Sequence, residues 1–279
     1  MKSIAVLLTV YNRKRQTIIC LDELFKQRLP DDCVLEVWLT DDGCTDGTKE
    51  EVSRMFPSVH IIHGDGSLFW NRGMWTAWNV SSKNKDYDYY LWLNDDTILF
   101  PNSLRKLLEE IEELENRAIL VGVCTNNKQE TTYGGYINRK RLDPNGNLCK
   151  VDYFNGNIVL VPRYVFKRLG NLDYYYRHSH GDTDYGRRAS KIGICSYITK
   201  EYLGFCDRHE NLNNWCDPSI PFKKRWNSLF KPTGYSPKEV FYYEKTHNGV
   251  CLAIFHQVTI YLRVLFPWLW IKANHHSKA

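Results

Sequence analysis

The first 125 residues alternate short, apolar, β-branched runs with stretches of helical spacing, and that rhythm narrows the fold more than any other feature. Ile4 to Val10, Leu35 to Thr40, Val59 to Ile62, Tyr89 to Leu93 and Ile119 to Val123 read as strands. Between them Lys14 to Arg28, Thr48 to Met55, Gly73 to Val80 and Pro101 to Asn116 read as helices, the last opened by its proline. Alternation of this kind implies an α/β fold with a mostly parallel sheet covered on both faces, and ligand sites at the carboxyl ends of the strands.

After Thr125 the rhythm changes. Asp143-Pro144-Asn145-Gly146 predicts a hairpin turn between two short strands, and Asp182 to Lys191 predicts a helix. Asn211 to Pro237 is rich in Trp, Pro, Lys and Asn with little periodicity, as in an ordered lid or a loose connector. Val250 to Lys272 is apolar and aromatic but interrupted by His256, Arg263 and Pro267. That pattern fits a helix lying in a membrane interface better than a spanning one, or else a helix packed on the main domain.

A chain of 279 residues can bury a substantial core. Its net charge of +5 is mild and forms no dense basic stripe, so no nucleic-acid partner is expected. The nine cysteines show no CxxC pair and no Cys/His zinc spacing, which argues against a structural metal site. Met1-Lys2-Ser3 leads straight into the first strand with no signal-peptide pattern, so reduced thiols in a cytoplasmic protein are expected, and the sequon Asn79-Val80-Ser81 reads as chance.

Three acidic clusters carry the chemistry. In Tyr90-Leu91-Trp92-Leu93-Asn94-Asp95-Asp96-Thr97 an apolar strand ends in adjacent carboxylates, which suits a hard cation such as Mg²⁺, although Asn-Asp-Asp is also ordinary turn chemistry. In Leu39 to Thr48 helix capping accounts for Thr45, Asp46 and Gly47 but leaves Asp41 and Asp42 unexplained. A carboxylate there can accept the imide N–H of uracil or thymine. In His180 to Arg188, Asp182 and Asp184 stand two apart and cannot share a helix face. One suits a general base in the cleft while the other pairs with Arg188; the alternative is an acidic first turn favoured by the helix dipole.

Taken in order, Leu8-Thr9-Val10-Tyr11-Asn12-Arg13, Asp41-Asp42-Gly43-Cys44-Thr45-Asp46-Gly47-Thr48, Asn94-Asp95-Asp96 and Gly181-Asp182-Thr183-Asp184-Tyr185 with Arg188 resemble the family 2 glycosyltransferases of the GT-A fold. The resemblance covers about the first 200 residues. It implies a Rossmann-like catalytic domain over 1–205, with a nucleotide-sugar half (1–125) and an acceptor half (126–205). A C-terminal helical, amphipathic extension (206–279) would follow, as a lid or a membrane-surface helix.

The same resemblance assigns roles. Thr9, Tyr11, Arg13 and Asp41 become nucleotide contacts; Asp96 touches Mg²⁺ or Mn²⁺, and Asp95 the ribose or the metal's waters. Asp182 falls at the catalytic base, although the family usually has Glu-Asp where this chain has Gly181-Asp182. Asp184 and Arg188 match the positions that follow. Gly64 to Met74 resembles bacterial rhamnosyltransferase-like members, with Asn71 and Arg72 facing the donor or serving a plain loop. Asn155 and Gly156 line the acceptor side or form a turn, and His209 approaches the metal or is structural. The expected activity is inverting transfer of a sugar from a UDP- or dTDP-sugar donor to a glycan or lipid-linked glycan acceptor in cell-surface polysaccharide synthesis. The enzyme is expected in the cytoplasm, with peripheral contact at the inner face of the membrane. A sugar-phosphate nucleotidyltransferase is the alternative, but Thr9 to Arg13 lacks its Gly-rich phosphate loop; a non-catalytic subunit of the same fold is another.

Overall fold

The structure is a computed structural model, and it describes residues 1–207 and 213–269. The chain divides into two compact units, 1–174 with 181–208, and 175–180 with 209–279.

The first unit opens with β1 (Lys2–Val10), α1 (Lys14–Phe25), β2 (Cys33–Asp41), α2 (Thr48–Met55), β3 (His60–His63), α3 (Phe69–Asn84) and β4 (Tyr89–Leu93). Short β5 (Ile98–Leu99), α4 (Ser103–Glu113) and β6 (Ile119–Thr125) complete the alternating part. Then come β7 (Thr131–Tyr133), β8 (Gly135–Ile137), β9 (Lys140–Arg141), β10 (Cys149–Val151), β11 (Tyr153–Phe154) and β12 (Ile158–Pro162). Helices α5 (Arg163–Leu169) and α6 (Gly181–Lys191) and strand β13 (Ser196–Phe205) close the unit.

The main sheet runs β10-β13-β6-β12-β4-β1-β2-β3, with β5 and β7 at its margins. β4, β1, β2 and β3 are mutually parallel, as are β6 and β13, whereas β12 runs antiparallel between β4 and β6. Alternation along each strand sends side chains to two separate cores. From β1, Val6 and Leu8 join Leu21 and Leu24 of α1 and Leu104, Leu107 and Ile111 of α4. Ala5 and Leu7 face the other way, toward Met74, Ala77 and Trp78 of α3 and Tyr185 of α6.

Boundaries shift for local reasons. α3 begins at Phe69, four residues before the expected Gly73, and α1 stops at Phe25 rather than Arg28. Pro101 lies in a turn, and α4 starts at Ser103 after Asn102 adopts a left-handed φ of 65°. The expected hairpin at Asp143 to Gly146 does not form: β9 pairs with β8 in a small three-stranded sheet, while β10 pairs with β13 in the main one. The two flanking strands thus belong to different sheets.

The second unit contains α7 (Phe222–Leu229), inside the stretch expected to lack periodicity, then α8 (Pro237–Asn248) and α9 (Val250–Leu265). Its small core joins Trp215, Leu229, Val240, Ile260 and Val264. Among the described residues no helix is long and apolar enough to cross a membrane.

Candidate active site

Parallel strands point the same way, so β1, β2 and β4 deliver their C-terminal residues to one edge. Val10 stands opposite Asp41 in the β1–β2 register, and β1 pairs with β4 up to Leu7 and Trp92. The antiparallel β12 brings its beginning to that same edge: Ile158 pairs with Leu93, and the Asn94 N–H donates to the Asn157 carbonyl at 3.0 Å. The loop Asn155 to Asn157 is thereby fixed beside the Asn94-Asp95-Asp96 turn. Three separate stretches of sequence meet because one strand is reversed.

Asp95 and Asp96 share one cation, Arg13. Its Nη1 donates to Asp95 Oδ1 at 2.9 Å and to Asp96 Oδ2 at 2.8 Å. The two carboxylates differ in exposure, 7% for the Asp95 side chain against 28% for Asp96. Burial pushes the Asp95 pKa up to about 7, opposed by Arg13 and reinforced by the charge on Asp96. Asp95 Oδ2 is buried with no hydrogen-bond partner among the described residues, a costly condition for a carboxylate oxygen. Adjacent hard oxygen donors, one orphaned and one partly open, fit a Mg²⁺ or Mn²⁺ ion, which takes one or two carboxylates and completes its shell with waters and phosphate oxygens. Among the described residues no cluster of three Asp, Glu, His or Cys side chains forms a self-sufficient metal site. His209 lies outside the described residues.

Asp182 opens α6, and its carboxylate is held by two backbone donors. The Gly156 N–H reaches Oδ2 at 3.0 Å and the Thr183 N–H reaches Oδ1 at 2.7 Å. Burial raises the Asp182 pKa to about 6, and those two N–H groups pull against it. A carboxylate so poised is a stronger base than an ordinary one yet still ionised at neutral pH. Gly181 has a steric explanation: a Cβ there would lie 1.7 Å from Asn71 Oδ1. The Asn71 carboxamide occupies the space that a glutamate before Asp182 would need.

Between the two carboxylate sites stands Trp70. Its Nε1 donates to Asn94 Oδ1 at 2.7 Å, and its ring edge lies 2.7 Å from where a Gly156 Cβ would be. One indole thus touches both the turn that carries Asp95 and the glycine that holds Asp182. In the sequence Trp70 stands inside the Gly64 to Met74 stretch with no role of its own.

Other expected residues are placed as follows. Tyr11 is exposed, while Asn12 takes a left-handed φ of 51° and its Oδ1 accepts the Thr45 N–H at 2.7 Å, tying the β1 end to the acidic loop. Thr9 packs against Gly73, whose missing Cβ lets α3 approach β1 closely. Asp41 is buried and accepts the Cys44 N–H at 2.8 Å. Asn155 Oδ1 accepts from the Tyr136 hydroxyl at 2.9 Å, and Tyr136 stacks on Tyr153. Asn71 and Arg72 turn toward Asp173 and Tyr174: Asn71 Nδ2 donates to the Asp173 carbonyl at 2.8 Å and Arg72 Nε to that of Tyr174 at 3.0 Å. Asp184 is buried against Arg188 at 2.7 Å, and the guanidinium also donates to the Leu169 and Asn171 carbonyls. The helix pair expected at Asp184 and Arg188 forms, and it faces the chain itself.

Asp42 was unassigned in the sequence and is now accounted for. Its carboxylate accepts N–H groups from Gly66 (3.0 Å), Leu68 (3.2 Å) and Phe69 (2.9 Å). It caps α3 from 27 residues away, a task that the helix's own N-cap, Leu68, cannot perform. Cys206 also escaped notice; its thiol lies 3.7 Å from Asp96 Oδ1, and burial pushes its pKa up to about 12.

Residues 5–170 match the family model described as Glycosyl transferase family 2. The chain is 20% identical over 187 residues to an uncharacterised glycosyltransferase of Rickettsia typhi, covering 63% of this chain and 55% of that relative. It is 28% identical over 113 residues to one of Haemophilus influenzae, covering 40% and 36%. This chain therefore aligns with little more than half of the first relative's length. Among solved structures, Staphylococcus aureus TarS 1-349 in complex with UDP-GlcNAc matches 96% of this chain and 72% of its own, with a TM-score of 0.61 at 14% identity. The same fragment in complex with UDP matches 74% and 60%, with a TM-score of 0.54 at 15% identity.

Proposed function

We propose, because the chain belongs to glycosyl transferase family 2, that it moves a sugar from a nucleotide-diphosphate donor to a hydroxyl of a glycan or lipid-linked glycan, with inversion at the anomeric carbon. The observation that carries this reading is the pair of carboxylate sites joined through Trp70, which touches both the Asn94 turn and Gly156. Asp95 and Asp96 offer hard oxygen donors beside Arg13, whose guanidinium suits a diphosphate. Asp182 offers a base of raised pKa beside Gly156, the glycine that the indole also touches.

Transfer needs the leaving diphosphate's charge stabilised and the acceptor hydroxyl deprotonated as it attacks. A Mg²⁺ or Mn²⁺ ion, when bound, supplies Lewis-acid stabilisation of the leaving group. Asp96, the more open carboxylate, would hold it, with Asp95 beneath contributing charge and orientation. Asp182 accepts the proton from the acceptor hydroxyl, and its two backbone donors keep the carboxylate aimed. A single base opposite the leaving group gives one displacement and hence inversion.

The complexes of the TarS fragment with UDP and UDP-GlcNAc support a nucleotide-sugar donor for a fold of this kind. The Gly64 to Met74 resemblance to rhamnosyltransferase-like proteins keeps dTDP-sugars in view. A role in cell-surface polysaccharide synthesis, a cytoplasmic site of action and contact of the C-terminal unit with a membrane complete the reading. Thermal-shift screening of UDP- and dTDP-sugars with and without Mn²⁺ tests it, since a ligand that binds only the native state raises its melting temperature. The expected result is a rise that needs nucleotide and metal together. A melting temperature indifferent to every nucleotide would overturn the donor assignment.

A further inference from the structure

In the C-terminal unit, α9 inverts the usual pattern of a helix in water. Its buried stripe is narrow, comprising Ala253, Ile260 and Val264. Outside that stripe, where polar side chains belong, stand Ile254 (54% exposed), Phe255 (60%), Val258 (53%), Leu262 and Leu265. α7 adds a second ridge: Phe222 and Trp226, with Phe230 just beyond the helix end, are spaced four apart, and all three are exposed. Their rings follow one another at centroid distances of 5.8 and 5.4 Å.

The two ridges are one surface. Trp226 lies 5.8 Å from Tyr261 of α9, and Tyr261 stands one turn from both Val258 and Leu265. Arg225 fastens the helices from beneath, donating from Nε and Nη2 to the Val264 carbonyl at 3.1 and 3.0 Å. The charge on these helices is of one sign. α7 and α9 contain Lys223, Lys224, Arg225 and Arg263 and no aspartate or glutamate. In helical projection Lys223 flanks the aromatic ridge, whereas Lys224 and Ser228 turn to the opposite face, where with Asn227 they line a cavity of about 600 Å³.

We propose that α7 and α9 together form a docking surface for an anionic lipid bilayer, lying in the interface with the rings of Trp226 and Phe222 at the headgroup level. Charge complementarity selects this occupant. A second copy of the chain would set lysine against lysine across the same patch, whereas an anionic leaflet supplies the opposite sign and accepts both aliphatic and aromatic side chains. The inference deepens the reading of a lipid-linked acceptor and rests on it for its purpose, but its test needs no sugar transfer.

The test is sedimentation of the full chain with phosphatidylcholine vesicles, with and without phosphatidylglycerol, at low and high salt. The chain is expected to pellet with the anionic vesicles, less so at high salt. Lys223→Ala should weaken binding about fivefold, the equivalent of about 1 kcal/mol for one cation near an anionic surface. Trp226→Ala and Phe255→Ala, both at exposed positions, should weaken it more while leaving the far-UV circular dichroism melt unchanged. Asp96→Asn should pellet as the native chain does, which separates this proposal from the catalytic one. A native chain that stays in the supernatant, or Trp226 and Phe255 variants that pellet undiminished, would overturn it. So would a concentration-dependent dimer that the same substitutions dissolve without any vesicle binding.

Discussion

At the end of β2, Asp41 and Asp42 turn back into the chain, where backbone N–H groups of Cys44, Gly66, Leu68 and Phe69 receive them. At the end of β4, Asp95 and Asp96 receive no such network; they share a single guanidinium, and one oxygen of Asp95 is buried without a partner among the described residues. The two pairs are alike in sequence, both following an apolar strand of the same parallel sheet. What separates them is the supply of donors. A loop rich in N–H groups converts a carboxylate into a structural cap, and a site that withholds them leaves its charge available to a ligand.

That contrast breaks first at Asp96. Asp96→Ala should abolish transfer, a loss of at least ~10³-fold, equivalent to about 4 kcal/mol, with a thermal melt close to that of the native chain. Isothermal titration of UDP with Mn²⁺ should show metal-dependent binding weakened in parallel. Unchanged metal dependence would move the ion to other ligands.

Asp182→Asn sharpens a second side of the comparison, since this carboxylate has two N–H donors and yet a raised pKa. Turnover should fall by ~10²-fold or more while donor affinity is kept. In the native enzyme at saturating Mn²⁺, which holds the Asp95–Asp96 site ionised, the rate should level off about one unit above pH 6 and decline about tenfold per unit well below it, because protonation removes the base. The sign follows from burial: a pKa raised to about 6 places the loss well above the ordinary carboxylate range. A profile that stays flat to pH 5 would exclude Asp182, and Asp184, although paired to Arg188, would be next in line.

Asp42→Ala should invert the pattern of Asp96→Ala. Three N–H groups lose their acceptor, so stability should drop by about 2 kcal/mol, read as a lower urea midpoint at constant slope. If Asp42→Ala melts like the native chain while abolishing donor binding, the division into cap and ligand site is wrong.

How much of this was legible follows from the range of each interaction. Thr48–Met55 and Tyr89–Leu93 could be read residue for residue, because apolar periodicity and local turn chemistry bound them. The start of α3 was not legible, because its cap comes from Asp42, 27 residues upstream. The hairpin at Asp143 to Gly146 was misread because turn residues specify a reversal, whereas β10 takes its partner from β13, nearly 50 residues on. In the site, the carboxylates stood out as residue types at strand ends and a helix start. Which of them are spent on the chain's own N–H groups depended on loops placed by strand pairing, Gly66 to Phe69 after β3 beside β2 and Gly156 before β12 beside β4, and no local pattern encodes that. The Asp184–Arg188 pair was readable, being four apart on one helix.

The smallest expected effect concerns the side chain the sequence undervalued. Trp70 joins the two halves of the site through one hydrogen bond to Asn94 and through ring contact at Gly156. Trp70→Phe keeps an aromatic ring in the gap and deletes the N–H, so the Asn94 carboxamide oxygen loses its donor while the wall beside Asp182 persists. Turnover should fall about fivefold, near the 1 kcal/mol of a neutral hydrogen bond, with little change in melting temperature. A double-mutant cycle with Asn94→Ala distinguishes coupling from simple packing. If the indole acts by fixing the Asp95 turn, the two losses are not additive, and the double variant is scarcely worse than Asn94→Ala alone. Strict additivity would mean that Trp70 only fills space, leaving the two carboxylate sites to be held in place independently by the backbone pairing of β4 with β12.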